Sequence, residues 1–498
     1  MTISERKRSV MRMERYELSS TQNASEVFTA MRSTLARQSS IVWRHQMSRA
    51  PTRQFSASFD DFYDVIIVGG GVVGCSMAKI LNETMPRLRV ALLEQREAPH
   101  HNNQESNPPP HPRSYALSPK SLSLLGDDTV ANLKLGRYET MQVWEQKSSG
   151  MLVFSKADVS TDYLGACVED GPLVYELWKQ IEDRTSCYVG SRIDSMEIGS
   201  NSVSLETSLG KKLSSSLVVA ADGANSELRK SLGLAWQGVD YGRTAVTATV
   251  ELNGHMQKRA FQRFLPEGPL ALLPTFSDRH ATVVWSTTPE HAKLLSDKPT
   301  LAQQVNDVLQ RGPQRMPPIF RQSGSFPFVS SVLDGVEKMV DTFQYGMAMR
   351  HWNDDPDKFL APPLLGEVLS PVFSFPLSCR FVTSYVSQGR VVLIGDAAHT
   401  IHPMAGQGLN LGLEDVAVLA SAIDRAYQSG MDVSTFVEQD YQADRRVAIS
   451  LKLAGVHMLH ELFSMQQAPM MHGKSAGMHF INQFGPLRQQ LAKVATGM

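Results

Sequence analysis

The sequence DVIIVGGGVVG at residues 64–74 is compatible with few folds. A run of β-branched and apolar residues is typical of a buried parallel strand, and the glycines after it predict a sharp turn into a helix. Gly69 permits the tight turn, Gly71 lets the backbone approach a pyrophosphate, and Gly74 lets the helix pack closely against the strand. N–H groups at the start of that helix face the anion. The stretch therefore predicts an α/β fold with a dinucleotide site.

A second predicted strand, residues 89–93, ends at Glu94, which follows Gly74 by 20 residues. An acid at this position accepts hydrogen bonds from the ribose hydroxyls of an adenosine and disfavours a 2′-phosphate. The alternative interpretation is a glycine-rich turn in an ordinary α/β fold, which gives no reason for the combination of strand, helix and acid. These features do not distinguish NAD from FAD.

A glycine-rich stretch nearer the C-terminus predicts which dinucleotide binds. Residues 390–394 form another buried strand, and Asp396 follows at its carboxyl end, where a carboxylate suits the ribityl hydroxyls of a flavin. After Pro403, Gly406 and Gly408 lead into a helix whose positive end can face the N1–C2 edge of an isoalloxazine. This arrangement predicts FAD, and the alternative is a plain turn followed by a glycine helix cap.

The glycine motif at 69–74, Asp222-Gly223 after a further buried strand, and Gly395-Asp396 follow one another along the chain. Together they resemble the three signatures of the flavoprotein aromatic hydroxylases, which have the p-hydroxybenzoate hydroxylase fold. Four longer stretches resemble the ubiquinone-biosynthesis branch of that family: YETMQVWE at 138–145, FLPEGPLALLP at 264–274, VWSTTPEH at 284–291 and RVVLIGDAAHTIHPMAGQGLNLG at 390–412. The resemblance covers the chain from about residue 60 almost to its end.

The resemblance implies roles for individual residues. Glu94 would hold the adenosine ribose, Asp222 would lie near the pyrophosphate, and Asp396 would hold the ribityl chain. Arg113 would contact the cofactor between two domains, and Pro403 would lie beside the isoalloxazine. The full set of expected cofactor-binding residues is Gly69, Gly71, Gly74, Glu94, Arg113, Asp222, Gly395, Asp396, Gly406, Gly408 and Asn410.

The chain of 498 residues exceeds one ordinary hydrophobic core. We expect a discontinuous, Rossmann-like FAD-binding domain formed by residues 60–235 and 376–440. Strand alternation predicts an antiparallel β-sheet in a substrate domain at residues 236–375, and residues 441–498 are expected to be a C-terminal helical region. The fold class is therefore α/β with two intertwined domains.

The N-terminal residues have the composition of a targeting segment. Residues 27–59 contain five arginines and many serines but no lysine and no acid, which is typical of a mitochondrial transit segment. Residues 1–59 are therefore expected to be disordered and outside the fold, with a disordered tail of no targeting role as the alternative. Together with the resemblance, this predicts a location at the matrix face of the mitochondrial inner membrane.

The chemistry implied by the resemblance is carried by the flavin. Reduced FAD captures O2 as a C4a-hydroperoxide, whose distal oxygen is attacked by an electron-rich phenol. Pro403 and His399 are the residues expected nearest the flavin. His399 and His402 have a spacing that suits a metal, but no further ligands accompany them, so we expect no metal site. An apolar substrate channel is expected along Phe264, Leu265, Pro266 and Leu272, with ordinary sheet core as the alternative.

Composition excludes some partners. A net charge of −1 gives no electrostatic reason to expect nucleic acid, and no apolar stretch is long enough to span a membrane. Residues 451–498 are rich in methionine, histidine and apolar residues, which indicates either core or a surface that contacts a membrane or a partner.

The predicted function is FAD-dependent hydroxylation, at ring carbon 5, of a polyprenylated 4-hydroxybenzoate-type precursor in ubiquinone biosynthesis. The resemblance implies O2 as co-substrate, a ferredoxin with its reductase as electron donor, and association with the coenzyme Q biosynthetic complex. NADPH stays open as the donor. The alternatives are an FAD oxidoreductase of the same fold acting on another substrate, and a non-catalytic flavin-binding subunit of a biosynthetic complex.

Overall fold

The computed structural model describes residues 62–100, 110–146, 148–314, 359–401, 407–465 and 467–496. The predicted transit segment and two predicted site residues, Pro403 and Gly406, lie outside these ranges, as does His402.

The strands are β1 (Phe62–Val68), β2 (Val90–Leu93), β3 (Ser114–Leu117), β4 (Gly136–Tyr138), β5 (Thr140–Glu145), β6 (Met151–Ser155), β7 (Gly165–Glu169), β8 (Thr185–Tyr188), β9 (Ile193–Ile198), β10 (Val203–Thr207), β11 (Lys212–Ala220), β12 (Trp236–Leu252), β13 (Arg259–Phe264), β14 (Leu270–Pro274), β15 (His280–Thr287), β16 (Leu365–Val368), β17 (Phe373–Val382), β18 (Val386–Ser387), β19 (Val391–Leu393) and β20 (His399–Thr400).

The α-helices are α1 (Val72–Thr84), α2 (Pro119–Leu125), α3 (Asp127–Ala131), α4 (Lys156–Val159), α5 (Asp170–Ile181), α6 (Glu227–Ser231), α7 (Pro289–Leu294), α8 (Lys298–Leu309), α9 (Gly408–Ser429), α10 (Val433–Phe436), α11 (Gln442–Ser464), α12 (Ala468–Gln483) and α13 (Gly485–Thr496). A π-helical turn, Val437–Tyr441, joins α10 to α11.

The first sheet is parallel at its centre. β1 lies between β2 and β11, β11 pairs in parallel with β19, and β2 pairs in parallel with β8. β2, β19, the middle of β1 and the second half of β11 are apolar and buried, as expected of parallel strands that helices cover on both faces. Helix α1 packs against both α5 and α9. Because β1, β2, β11 and β19 are parallel, their carboxyl ends meet at one edge of the sheet.

The second sheet is mainly antiparallel and has the order β20-β17-β12-β15-β14-β13-β5-β6, with β16 also beside β12. Its longest strand, β12, has an irregular register between Asp240 and Arg243, where a bulge forms opposite β17. One face of the sheet packs on α8. β5 and β6 come from residues that precede the expected substrate domain, and β5 pairs with β13 in parallel. The expected boundaries of the FAD-binding and substrate domains stay a proposal.

The predicted fold class is confirmed: a parallel α/β sheet, an antiparallel sheet and C-terminal helices are all present. The C-terminal helices pack on the second sheet's edge, because α12 contacts β6 and α13 contacts α4. In the described part of the chain, no helix combines the length and the apolar character needed to cross a membrane.

Candidate active site

The first sheet places the three predicted motifs side by side. Val68 pairs with both Leu93 and Ala220, and Ala220 pairs with Leu393, so all four strands end at the same level. The residues that follow these ends are the glycine motif, Glu94, Asp222 and the Gly395-Asp396 turn. Ligands of open α/β sheets bind at such an edge. We call it the cofactor edge.

The glycines of the first motif are required by close backbone contacts. Gly69 has a positive φ of +110°, and a Cβ atom there would lie 2.4 Å from the carbonyl oxygen of Ala221. A Cβ at Gly74 would lie 1.9 Å from the Gly69 oxygen. A Cβ at Gly71, by contrast, would meet none of the described residues within 4 Å. Tight packing beneath the turn with open space above Gly71 is the shape that an approaching pyrophosphate requires.

Two helices begin at this edge without side-chain caps. Helix α1 starts after Gly71 and α9 after Gln407, and neither helix has an acidic residue in its first turn or a capping hydrogen bond from its N-cap side chain. Their first N–H groups are therefore available to an anionic or carbonyl group of a ligand. Gly408 is the first residue of α9.

Glu94 and Trp178 both form hydrogen bonds with the backbone of Gly70. A carboxylate oxygen of Glu94 accepts a hydrogen bond from the N–H of Gly70 at 2.6 Å. The indole N–H of Trp178 donates to the Gly70 carbonyl at 2.8 Å, and a Cβ at Gly70 would lie 2.5 Å from the Trp178 ring. Sequence reasoning missed Trp178, because it lies on α5, far along the chain from the motif, with no local signal.

The second motif contains a buried acceptor with spare capacity. Oδ2 of Asp222 accepts hydrogen bonds from the backbone N–H groups of Glu227 and Leu228. Oδ1 is buried and has no hydrogen-bond partner among the described residues. A buried carboxylate oxygen is normally paired, so this atom is suited to a hydroxyl group of a bound cofactor or to a water that bridges to it.

The third motif is held from behind by a buried charge network. Oδ2 of Asp415 accepts hydrogen bonds from the N–H of Gly395 and from Nε2 of His399, both at 2.7 Å. Its other oxygen accepts from Nε of Arg445 at 2.6 Å. Burial disfavours the carboxylate, but His399 and Arg445 outweigh burial and lower the pKa of Asp415. An ionised Asp415 therefore fixes the Gly395 turn, where φ is +58°.

Asp396 faces outward from that turn. Its side chain is exposed, yet the protein atoms around it raise its pKa by desolvation, as expected of a carboxylate that faces into a cleft. His399 and Arg113 partly offset this rise. Arg113 itself forms an ion pair with Asp170 at 3.1 Å. The structure thus brings Arg113 and Asp396 within electrostatic range of each other.

The side chain of Asn410 connects α9 with the end of β3. Its side-chain oxygen accepts from the N–H of Ser118 and its amide nitrogen donates to the carbonyl of Ala116, each at 2.9 Å. These bonds fix the start of α9 against the junction of β3 and α2. His399 is buried and paired with Asp415, so within the described residues it supports the turn from inside.

Sequence reasoning missed Asp415 and Arg445. Asp415 left one usable signal, since it is an acid on the apolar side of an amphipathic helix, next to Val416. Arg445 left none, because its partner lies 30 residues earlier. The described residues contain no cluster of three or more His, Cys, Asp or Glu side chains that could hold a metal ion.

The second sheet has one covered face and one open face. Phe261, Leu272 and Val283 lie on the covered face and are completely buried with α8. The strand register places alternate side chains on the open face. Thr247, Ala271, Val284, Phe373 and Phe375 are half-buried or exposed there, whereas Ala245, Thr249, Thr282 and Ser286 on the same face are buried.

The four expected channel residues divide between these two environments. Leu272 and Leu265 belong to the cluster on the covered face, and Pro266 is half-buried in the turn after β13. Phe264 lies on the other side, stacked on Phe463 of α11 with ring centroids 3.9 Å apart. Because side chains alternate along a strand, Ala271 and its cross-strand partner Val284 lie on the open face, whereas Leu272 does not.

The open face adjoins the cofactor edge. Thr247 donates a hydrogen bond to the carbonyl of Pro112, which precedes Arg113. Ile401, two residues after His399, packs with both Phe264 and the core of the first sheet. A ligand at the cofactor edge and a ligand on the open face would thus be neighbours.

The chain resembles known proteins over nearly its whole length. A family model described as an FAD binding domain matches residues 369–449. Ubiquinone biosynthesis monooxygenase COQ6, mitochondrial, from Xenopus tropicalis is 31% identical over 476 residues, which covers 90% of this chain and 97% of that protein.

Two solved structures show the same fold at low sequence identity. PqsL, a probable FAD-dependent monooxygenase from Pseudomonas aeruginosa, has a TM-score of 0.61 and 19% identity, and the match covers 84% of this chain and 99% of that one. The p-nitrophenol 4-monooxygenase PnpA from Pseudomonas putida has a TM-score of 0.60 and 16% identity, covering 86% and 96%.

The cofactor edge and these relatives together define an FAD-dependent aromatic-ring monooxygenase. This confirms the predicted cofactor and enzyme class. Because the identity to the Xenopus protein extends over almost all of both chains, this protein belongs to the COQ6 family of mitochondrial ubiquinone biosynthesis monooxygenases.

Proposed function

We propose that the protein hydroxylates ring carbon 5 of a polyprenylated 4-hydroxybenzoate-type phenol, with O2 as co-substrate. The observation that carries this proposal is the position of the open face. Ala271 and Val284 are half-buried on this face, threonine side chains lie beside them, and the face adjoins the cofactor edge. Apolar burial of several isoprene units there, at about 25 cal/mol per Å², would supply most of the binding energy.

Residues at the cofactor edge would bind the different parts of FAD. Gly71 and the start of α1 would accept the pyrophosphate, Glu94 the adenosine ribose, and Asp396 the ribityl hydroxyls. Asp222 and Arg113 would complete the cradle. When bound and reduced, the flavin supplies the activated oxygen, in the predicted mechanism as a C4a-hydroperoxide. The roles of Pro403, Gly406 and Gly408 beside the flavin ring remain part of this proposal.

The chain itself orients the reactants and excludes water. Phe264 and Phe463 close one end of the open face with a ring stack. Asp415 and His399 fix the turn from which Asp396 projects. A phenol ring held between these two regions would have its reacting carbon toward the cofactor edge and its prenyl tail along the apolar strands.

A peripheral contact with the inner membrane at its matrix face fits the outer side of α11. Val447, Leu451 and Met458 are exposed, and their spacing places them on one side of the helix. An apolar stripe of this kind can insert shallowly into a bilayer. Residues 27–59 would direct import, and a reporter carrying residues 31–59 that stays in the cytosol would contradict this.

Electrons would come from a ferredoxin and its reductase, with NADPH as the competing donor. Anaerobic flavin reduction, measured with NADPH alone and with a reconstituted ferredoxin system, distinguishes the two. Assembly with a coenzyme Q biosynthetic complex belongs to the same proposal.

Substrate-dependent oxygen uptake tests the proposed activity. The purified flavoprotein with reductant should consume O2 when 3-farnesyl-4-hydroxybenzoate is added and should release a product heavier by one oxygen atom. Asp396→Ala should fold but lose FAD and this activity. A wild-type protein that binds FAD but gives no product would favour a non-catalytic flavin subunit. Turnover of only unprenylated substrates would favour an oxidoreductase with another role.

A further inference from the structure

A group of ring side chains lies where α11 meets the second sheet. His457 and His460 of α11 both face the ring of Tyr241, which comes from the bulge in β12. The centroid distances to Tyr241 are 6.1 Å for His457 and 4.4 Å for His460. Arg243 of β12 and Cys379 of β17 interact electrostatically with this group, as does Glu461. No residue of this group belongs to the cofactor edge.

This group borders the Phe264–Phe463 stack. On α11, His460 lies one turn from Val456 and one turn from Phe463, so the three share the side of the helix that faces the sheet. Val456 and Phe463 pack with Phe264 and Ile401. Ile401 also packs against the core of the first sheet. Polar rings and an apolar stack are thus placed together beside Ile401.

The imidazoles are suited to receive a hydrogen bond. His460 is only half-buried although it lies in the middle of the inward side of α11, so space adjoins it. Burial first, and then Arg243 and His457, lower the pKa of His460 to about 4. The ring is therefore neutral near pH 7 and keeps an acceptor nitrogen. Nδ1 of His457 is buried and has no hydrogen-bond partner among the described residues.

We propose that His460 contacts the substrate and accepts a hydrogen bond from its ring hydroxyl, while Tyr241 and His457 hold the imidazole in place. This inference rests on the proposed function and identifies a polar contact for the ring hydroxyl at the edge of the open face. A hydrogen bond from the hydroxyl to a neutral imidazole fixes the rotation of the ring and increases its electron density. The Phe264–Phe463 stack then packs beside the ring, and the prenyl tail follows the open face.

Equilibrium binding to the oxidised holoprotein tests this contact without turnover. The probes are 3-farnesyl-4-hydroxybenzoate and its 4-methoxy counterpart, which cannot donate the hydrogen bond. Binding is followed by the change in flavin absorbance, and the measured quantity is the ratio of the two dissociation constants. Wild-type protein should prefer the phenol by about tenfold, the value of one good hydrogen bond.

The variants separate a direct contact from a structural role. His460→Phe should reduce the ratio to about one, whereas His460→Gln, which keeps an acceptor, should retain most of it. His255→Phe changes an exposed histidine away from this group and should leave the ratio unchanged. If His460→Phe does not retain FAD, His460→Leu provides the same comparison.

Two results would overturn the inference in distinguishable ways. A wild-type preference that persists in His460→Phe or His460→Leu, with FAD content and Tm retained, would exclude His460 as the hydroxyl contact and leave the proposed function intact. If the wild-type holoprotein binds neither probe, the proposed function fails together with the inference.

Discussion

Asp415 fixes the Gly395-Asp396 turn from inside the protein. One carboxylate connects the N–H of Gly395, the imidazole of His399 and the guanidinium of Arg445, and all these side chains are buried. Removing one partner of a buried charge pair leaves the other charge uncompensated, which is strongly destabilising. Asp415 therefore determines where Asp396 projects, although Asp415 is not itself expected to bind a ligand.

Asp415→Asn should reduce the free energy of unfolding by about 3 kcal/mol, because the charge of Arg445 is left buried without its counter-ion. FAD affinity should also fall, since the turn loses its anchor. Chemical denaturation and flavin titration measure the two effects. Asp424→Asn, on the same helix but in an exposed hydrogen bond, is the matched control and should change neither.

The lowered pKa of Asp415 predicts that the free energy of unfolding depends on pH. A pKa that is lower in the folded state than its ordinary value of 3.8 stabilises the fold above that value, and this stabilisation is lost as the pH falls through the folded pKa. The difference in unfolding free energy between wild type and Asp415→Asn should therefore be constant from pH 7 to about pH 5 and shrink below about pH 4. A difference that disappears by pH 6 would contradict the assignment.

At the scale of elements, the parallel strands could be predicted and the partners of the antiparallel strands could not. Short apolar runs followed by glycine or acid indicate β1, β2 and β19, since both faces of these strands are buried. The pairing of β5 with β13 joins residues more than a hundred positions apart, and no local pattern encodes it. For the same reason Trp178 and Arg445 could not be assigned to the site from the sequence.

Strand register also decides which side chains can meet a substrate. Alternation puts Ala271 on the open face and Leu272 on the covered one, a distinction that apolar composition alone does not reveal. Leu272→Ala should lower the free energy of unfolding by about 3 kcal/mol through the cavity it leaves, with little effect on substrate choice.

Ala271→Leu should change substrate selectivity and leave stability nearly unchanged. The added side chain projects from the open face, so stability should change little while kcat/KM for a farnesylated phenol falls by about tenfold. Steady-state kinetics with farnesylated and unprenylated phenols measure the selectivity. Equal losses for both substrates, or none for either, would mean that the tail follows another path.

At the scale of the whole molecule, the apolar stripe on α11 predicts membrane association. Leu451→Ser combined with Met458→Ser should reduce flotation with vesicles of cardiolipin and phosphatidylcholine by about tenfold, because apolar area inserted in the bilayer is lost. FAD content should be unaffected, since both side chains are exposed on the outer side of the helix. Leu209→Ser, which changes an exposed leucine between β10 and β11, is the matched control. Unchanged flotation of the double variant would move the membrane contact elsewhere.

In the whole molecule the cofactor edge adjoins the open face, and one labelled turnover tests most directly whether the two act together. Reduced wild-type protein is mixed with 3-farnesyl-4-hydroxybenzoate and 18O2, and the product is examined by mass spectrometry and NMR. We expect one labelled oxygen atom at ring carbon 5. A product without the label, a label at another carbon, or oxidation of the flavin with no labelled product would contradict the proposed reaction.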